Sequence, residues 1–249
     1  MSRRHVTAVA ATLAMLLPTA ACGTQDERAT ITVLAAASLT GSFTELADAF
    51  EAAHPGVRVR LAFNSSATLA QQAVDGAPAD VLATADSATM RSAEAALADE
   101  PRLFASNTMV LVTPADNPAD LTSFEGLDSA AVSYVTCVPT APCGAAADAL
   151  LTGSGIAAPP VSREIDVKAV LARVTEGEAD AGIVYATDAR AAGTAVTTLE
   201  IPGAATRLTT YPIATLEQST HPDLAREFVE LVTSATGQRT LRSAGFGPP

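Results

Sequence analysis

The chain has 249 residues, 48% of them hydrophobic, and a formal net charge of -12 with a single lysine, Lys168. This length allows one large domain or two smaller ones with a sizeable buried core. The acidic balance argues against nucleic acid or an anionic membrane surface as the main partner, although it leaves room for a local anion site.

The first 21 residues predict an export signal. Arg3 and Arg4 precede an apolar run over residues 6–17 that is too short to cross a bilayer comfortably. The small residues before Cys22 are similar to a bacterial lipobox, in which the cysteine becomes a lipidated N-terminus. We therefore expect residues 1–21 to be removed, Cys22 to anchor the protein to the cell membrane and residues 22–29 to form a tether. Cleavage after Ala21 without lipidation is the alternative, and both place the mature chain outside the cytoplasm.

The first unit of the mature chain joins a strand to a helix. The apolar run over residues 31–37 predicts a buried strand, and Phe43, Leu46 and Phe50 recur at helical spacing. Ser38 stands between them. Because a helix start carries free backbone N–H groups, this point attracts an anion.

The second unit repeats this arrangement. Residues 57–63 alternate with period two, as in a strand, and Ser66 precedes a helical pattern that stops at Gly76. A strand over residues 78–84 and a helix over 87–97 follow. An apolar strand over residues 107–113 ends at Pro114, and the polar stretch after it indicates a change of domain.

The remaining chain continues to alternate between strands and helices. Further strands are predicted at residues 130–135, 161–165, 181–185, 196–201 and 211–216, and further helices at 145–151, 167–177, 223–234 and 238–243. Alternation of this kind predicts an α/β fold with mainly parallel sheets covered by helices, and it places ligands at the carboxyl ends of the strands.

The two cysteines of the mature chain beyond Cys22 are Cys137 and Cys143. An oxidising compartment and an even pair favour a disulfide between them. A metal pair is the weaker interpretation, because no other cysteine or histidine lies nearby in the sequence to complete a coordination shell.

Catalysis finds little support in the sequence. The histidines of the mature chain, His54 and His221, each stand next to a proline, and the sequence contains neither a Gly-x-Ser-x-Gly elbow nor a P-loop. We therefore predict that the protein is not an enzyme and has no cofactor. What remains is a set of helix starts with neutral donors at Ser38, Ser66 and residues 143–144 and 167–168. A serine before a helix is more often only a cap, so spacing suggests convergence on one anion without establishing it.

Four motifs carry a family resemblance. In order, they are residues 31–40 (ITVLAAASLT), 63–70 (FNSSATLA), 76–85 (GAPADVLATA) and 182–189 (GIVYATDA). Together they resemble the molybdate-binding proteins of ABC importers. The resemblance implies a periplasmic-binding-protein fold of the two-crossover type, with a cleft between two lobes. The first lobe would be discontinuous, comprising residues 30–108 and 212–249, and the second would span residues 109–211.

The resemblance also implies the ligand set. An oxyanion, rather than a bare metal cation, would be held by the hydroxyls of Ser38, Ser66 and Tyr185 and by backbone N–H groups at Cys143 and Val167. We accordingly expect a monomeric solute-binding lipoprotein that captures molybdate or tungstate and delivers it to the membrane permease of an ABC importer. The alternatives are another tetrahedral oxyanion such as sulfate, an anion sensor module, or an enzyme on the same fold.

Overall fold

The computed structural model describes residues 28–249, so the predicted export signal, Cys22 and most of the predicted tether lie outside the described residues. The strands are β1 (Ala29–Ala36), β2 (Val57–Asn64), β3 (Val81–Ala83), β4 (Arg102–Asn107), β5 (Met109–Pro114), β6 (Tyr134–Cys137), β7 (Ser162–Glu164), β8 (Ala181–Tyr185), β9 (Val196–Leu199) and β10 (Thr209–Thr215). The α-helices are α1 (Thr40–Ala53), α2 (Ser66–Val74), α3 (Ser87–Ser92), α4 (Pro142–Gly153), α5 (Val167–Thr175), α6 (Ala186–Ala192), α7 (Pro222–Thr233) and α8 (Ala235–Ser243).

The strands form two five-stranded sheets with matching layouts. The first has the order β2-β1-β3-β10-β4 and the second the order β7-β6-β8-β5-β9. In the first sheet β1 is parallel to β2 and β3, whereas β10 is antiparallel to β3 and β4. In the second, β6 is parallel to β7 and β8, whereas β5 is antiparallel to β8 and β9. Each sheet is therefore mainly parallel with one reversed strand, which confirms the predicted α/β class.

The chain crosses between the sheets twice. The first crossover is at Thr108, because β4 ends at Asn107 in the first sheet and β5 begins at Met109 in the second. The second lies between the end of β9 at Leu199 and the start of β10 at Thr209. The predicted strand over residues 107–113 is thus wrong at its first residue, since Asn107 pairs with Thr209 in the first sheet.

Aromatic side chains build the core beside the first sheet. Phe43 on α1 lies with its ring centroid 5.8 Å from that of Phe104 on β4 and 6.0 Å from that of Phe228 on α7. Phe50 is 5.5 Å from Phe228. Tilted and edge-on pairs at such distances add roughly 0.5–1.5 kcal/mol each beyond the burial of their surface. This cluster joins α7, the penultimate helix, to the first sheet.

Close packing of α5 against the second sheet depends on a glycine in β8. A Cβ atom at Gly182 would lie 2.8 Å from a methyl carbon of Val174 and 3.0 Å from one of Val170. Both valines belong to α5 and are fully buried. The second half of α5 is thereby packed against the start of β8. Within the described range of residues 28–249, no helix has both the length and the apolar character that crossing a membrane requires.

Candidate functional site

A small cavity lies where the carboxyl ends of strands from both sheets meet. Its lining residues are Ala36, Ala37, Ser38, Asn64, Ser65, Ser66, Ala85, Pro142, Cys143, Asp166, Val167 and Tyr185. All five residues of the predicted ligand set are in this group, and each is buried. The space open to the centre of a water molecule is about 20 Å³. Because one water molecule needs roughly 10–15 Å³ by that measure, the cavity suits a compact ion rather than a sugar or a peptide.

The first sheet contributes two serine hydroxyls that are held in place by hydrogen bonds. Ser38 lies in a 3₁₀ turn between β1 and α1, and its Oγ is 3.0 Å from the Oη atom of Tyr211. Ser66 is the first residue of α2, and its Oγ accepts a hydrogen bond of 2.9 Å from the backbone N–H of Ala85. Neither hydroxyl caps a helix. The ordinary role of a serine before a helix therefore does not account for them.

The start of α4 brings Cys143 to the cavity wall. The predicted disulfide between Cys137 and Cys143 is present, with the two Cα atoms 5.7 Å apart. Gly144 follows within the first turn, where a Cβ atom would lie 1.9 Å from the carbonyl oxygen of Val138. The loop before α4 thus packs directly on the helix start. No side chain caps α4, so the N–H groups of its first turn need other acceptors.

The start of α5 divides its N–H groups between a cap and the cavity. The Oδ1 atom of Asp166 accepts hydrogen bonds from the backbone N–H groups of Lys168 at 2.9 Å and Ala169 at 3.0 Å. The cap does not take the N–H of Val167. Val167 lines the cavity, and the cap leaves its N–H group unused.

Tyr185 brings a hydroxyl that is buried without a hydrogen-bond partner in the described part of the chain. The residue is 1% exposed and ends β8 on the cavity wall. Burial raises the pKa of Tyr185 well above its ordinary value, and the negative groups near it add to this shift. The side chain is therefore a neutral phenol that can donate. Leaving such a group unpaired costs roughly 1–3 kcal/mol, so this hydroxyl favours a ligand that accepts its proton.

The described lining of the cavity contains one carboxylate, that of Asp166, and no formal cation. Among the described residues that line the cavity, none is a lysine, an arginine or a histidine. Lys168 lies next to Val167, but its Nζ atom is 2.7 Å from Oδ1 of the buried Asp188. Burial raises the pKa of Asp188, and Lys168 opposes that shift. The helix starts at the cavity are then the groups that could favour a negative charge there.

Other lining residues were not in the predicted set. Asn64 and Ser65 adjoin Ser66 within the second motif, and Ala85 ends the third, so their proximity follows from the motifs themselves. Asp166 carried a recognisable signal, since an aspartate directly before an apolar helical pattern is typical of a helix cap.

Within residues 28–249, no cluster of three or more His, Cys, Asp or Glu side chains has the arrangement of a metal site.

Comparison with known proteins agrees with this geometry. Residues 31–247 match the family model described as bacterial extracellular solute-binding protein. The chain is 45% identical over 228 residues to the molybdate-binding protein ModA of Mycobacterium tuberculosis, which covers 91% of this chain and 87% of that protein. It is 29% identical over 229 residues to ModA of Haemophilus influenzae, with 88% and 90% of the two chains covered.

A solved structure shows the same fold. The periplasmic molybdate-binding protein of Azotobacter vinelandii superposes with a TM-score of 0.78 at 20% sequence identity, covering 88% of this chain and 99% of that chain. The predicted periplasmic-binding-protein fold and the resemblance drawn from the four motifs are both confirmed. The chain therefore belongs to the family of bacterial extracellular solute-binding proteins.

Proposed function

We propose that this protein captures molybdate outside the cytoplasm and delivers it to the membrane permease of an ABC importer. The observation that carries the proposal is the buried cavity in which Ser38, Ser66, Cys143, Val167 and Tyr185 meet. Its support is twofold. The cavity has the size and the neutral donors that a small oxyanion requires, and proteins similar over most of the chain are named for molybdate binding.

The donor arrangement favours an oxyanion without a proton. The Oγ atom of Ser66 already accepts from Ala85, so its own hydrogen is available to a ligand. The N–H of Val167 and the hydroxyl of Tyr185 can also donate, and Oδ1 of Asp166 is occupied by its own helix. Molybdate is fully deprotonated at neutral pH and only accepts hydrogen bonds. Hydrogen phosphate would need an acceptor for its proton, and the five proposed ligand groups are offered as donors, which makes it the poorer ligand.

The ligand would bridge two lobes. We assign residues 30–108 and 209–249 to the first lobe and residues 109–208 to the second, which moves the predicted boundary at residue 212 three residues toward the N-terminus. Because β10 pairs entirely within the first sheet, the second crossover lies earlier in the chain than predicted, between Leu199 and Thr209. The serines would then bind from the first lobe, and Cys143, Val167 and Tyr185 from the second. An anion held by both lobes would close the cleft.

The proposal extends to the partners and to location. Tungstate has the same charge and tetrahedral geometry as molybdate, so it should bind the same donors. The protein would act as a monomer, tethered to the membrane by a lipid on Cys22 so that it stays near its permease. It would be a carrier rather than an enzyme, with no cofactor besides the transported anion.

Isothermal titration calorimetry of the mature protein tests the assignment. We expect one molybdate or tungstate per chain, with sulfate and phosphate binding at least about 100-fold more weakly. Sulfate carries the same charge as molybdate but is smaller, so its rejection would show that the cavity size is matched to the larger anion. Equal binding of all four anions, or tighter binding of sulfate, would contradict molybdate as the ligand.

A further inference from the structure

Behind the cavity lies a tyrosine that contacts one of the proposed ligand residues. Tyr211 on β10 is fully buried, and its Oη atom is 3.0 Å from Oγ of Ser38. Its ring centroid lies 6.0 Å from that of Tyr185 and 5.4 Å from that of Phe246. Tyr211 therefore supports the cavity wall from behind, at the strand by which the chain returns to the first sheet.

Asn107 favours one direction for the hydrogen bond between Tyr211 and Ser38. The backbone N–H of Thr108 donates to Oδ1 of Asn107 at 3.0 Å, which sets the orientation of the amide. Its Nδ2 then donates to Oγ1 of Thr187 at 2.8 Å and to Oη of Tyr211 at 3.4 Å. An amide nitrogen only donates, so the Tyr211 oxygen is the acceptor from Asn107. The hydrogen of Tyr211 is therefore not used on Asn107 and is available to Ser38.

The direction of the hydrogen bond between Tyr211 and Ser38 decides whether Ser38 can donate to a ligand. When its Oγ accepts from Tyr211, its own hydrogen is free to point into the cavity. The opposite order would use the Ser38 hydrogen on Tyr211 and turn a lone pair toward the anion, which repels it. Burial also raises the pKa of Tyr211, so its hydroxyl keeps the proton that it would donate to Ser38.

We propose that Tyr211 is a positioning residue that, held by Asn107, donates to Ser38 and thereby commits the Ser38 hydrogen to the bound oxyanion. The inference rests on the proposed function and extends it to residues that do not touch the ligand. Asn107 ends β4 of the first sheet and Thr187 lies on α6 behind the second, so the chain of hydrogen bonds begins across the crossover. The Ser38 hydroxyl is consequently linked, through Tyr211 and Asn107, to Thr187 on α6 beside the second sheet.

A double-mutant cycle on the mature protein tests the proposal, with molybdate affinity measured by calorimetry. Tyr211→Phe removes the hydroxyl and keeps the ring, and it should weaken binding by about 3- to 10-fold, as expected for one neutral hydrogen bond. In a Ser38→Ala background the same substitution should change affinity by less than about 2-fold, because Tyr211 acts through Ser38.

Tyr134→Phe is the matched control. Tyr134 is equally buried, but its hydroxyl donates to the carbonyl oxygen of Ala158 at 2.5 Å, away from the cavity lining. Its removal should leave molybdate affinity unchanged. Thermal unfolding of each variant establishes that it folds. Should Tyr211→Phe fail to fold, Asn107→Ala, which removes the donor to Tyr211, provides the same test through a loss of about 2- to 5-fold that also depends on Ser38.

The outcomes separate this inference from the proposed function. Wild-type affinity in Tyr211→Phe, or an equal loss with and without Ser38, would overturn the positioning role while leaving molybdate capture intact. A wild-type protein that bound no molybdate would overturn both.

Discussion

The two halves of the cavity are built differently. The serine half, Ser38 and Ser66, consists of hydroxyls that already hold internal hydrogen bonds with Tyr211 and Ala85. The tyrosine half consists of the backbone at Cys143 and Val167, fixed by a disulfide and an aspartate cap, together with the Tyr185 hydroxyl that lacks a partner in the described chain. Each hydroxyl of the serine half thus has an internal partner before a ligand arrives. The tyrosine half contains a buried hydroxyl without a partner, that of Tyr185. A ligand that accepts its hydrogen bond would remove the free-energy cost of leaving it unpaired.

The largest effect should come from Ser66→Ala in the serine half. The change removes a donor to the anion and also the acceptor of the Ala85 N–H. A charge-assisted bond is worth roughly 1.5–3 kcal/mol, so we expect molybdate affinity to fall toward the upper end of about 10- to 150-fold. The free energy of unfolding of the ligand-free protein should also fall, by about 1–3 kcal/mol, because a buried N–H loses its partner.

Ser42→Ala is a suitable control for that variant. Ser42 is buried in α1, and its hydroxyl donates to the carbonyl oxygen of Leu39 within the helix start. Calorimetry should find its affinity within about 2-fold of wild type. If Ser66→Ala bound molybdate as tightly as Ser42→Ala, Ser66 would have only a structural role.

Tyr185→Phe should separate binding from stability. We expect affinity to fall by about 10- to 100-fold, since the anion loses a charge-assisted donor. The ligand-free protein should unfold at the same temperature as wild type or higher, because the removed hydroxyl has no partner there. Tyr134→Phe should behave in the opposite way, with lower stability and unchanged affinity. A loss of stability in Tyr185→Phe as large as in Tyr134→Phe would show that its hydroxyl is satisfied within the protein.

Opening the disulfide should have a smaller effect on binding. Replacing Cys137 and Cys143 together by alanine should weaken molybdate binding by about 3- to 10-fold, because the start of α4 loses its attachment to β6. The chain-entropy model gives about 2 kcal/mol of lost stability for so short a loop. A reducing agent should lower the affinity of the wild type and leave that of the double variant unchanged. Equal affinity with and without reductant in the wild type would remove the disulfide from the account of binding.

Val167→Ala should have the smallest effect on affinity, within about 2-fold, because the substitution retains the backbone N–H. Val167 is 2% exposed, so the loss of two methyl groups should still lower stability by about 1–2 kcal/mol. Calorimetry combined with denaturant unfolding measures both quantities. A large loss of affinity would mean that the side chain, rather than its N–H, shapes the cavity.

Local patterns indicated helix starts at Ser38, Ser66 and residues 143–144 and 167–168, and the family resemblance singled out the five ligand residues, including Tyr185. Ser38 follows β1, Ser66 follows β2, and Tyr185 ends β8. Tyr211 and Asn107 were not predicted as part of the site, since their positions depend on β10 inserting between β3 and β4. That pairing joins residues more than 100 positions apart and leaves no periodic signal. The helix α6 was also missed, because its seven residues, with no large apolar side chain, show no amphipathic period.

The central claim is that one oxyanion occupies the cavity and is held by donors from both halves. A crystal structure with molybdate, with data collected at the molybdenum absorption edge, tests this most directly. We expect one anomalous peak per chain within the cavity, with anion oxygens about 2.6–3.2 Å from the hydroxyls of Ser38, Ser66 and Tyr185 and from the backbone nitrogens of Cys143 and Val167. A peak at another location, or an anion contacted by only one half, would contradict the account.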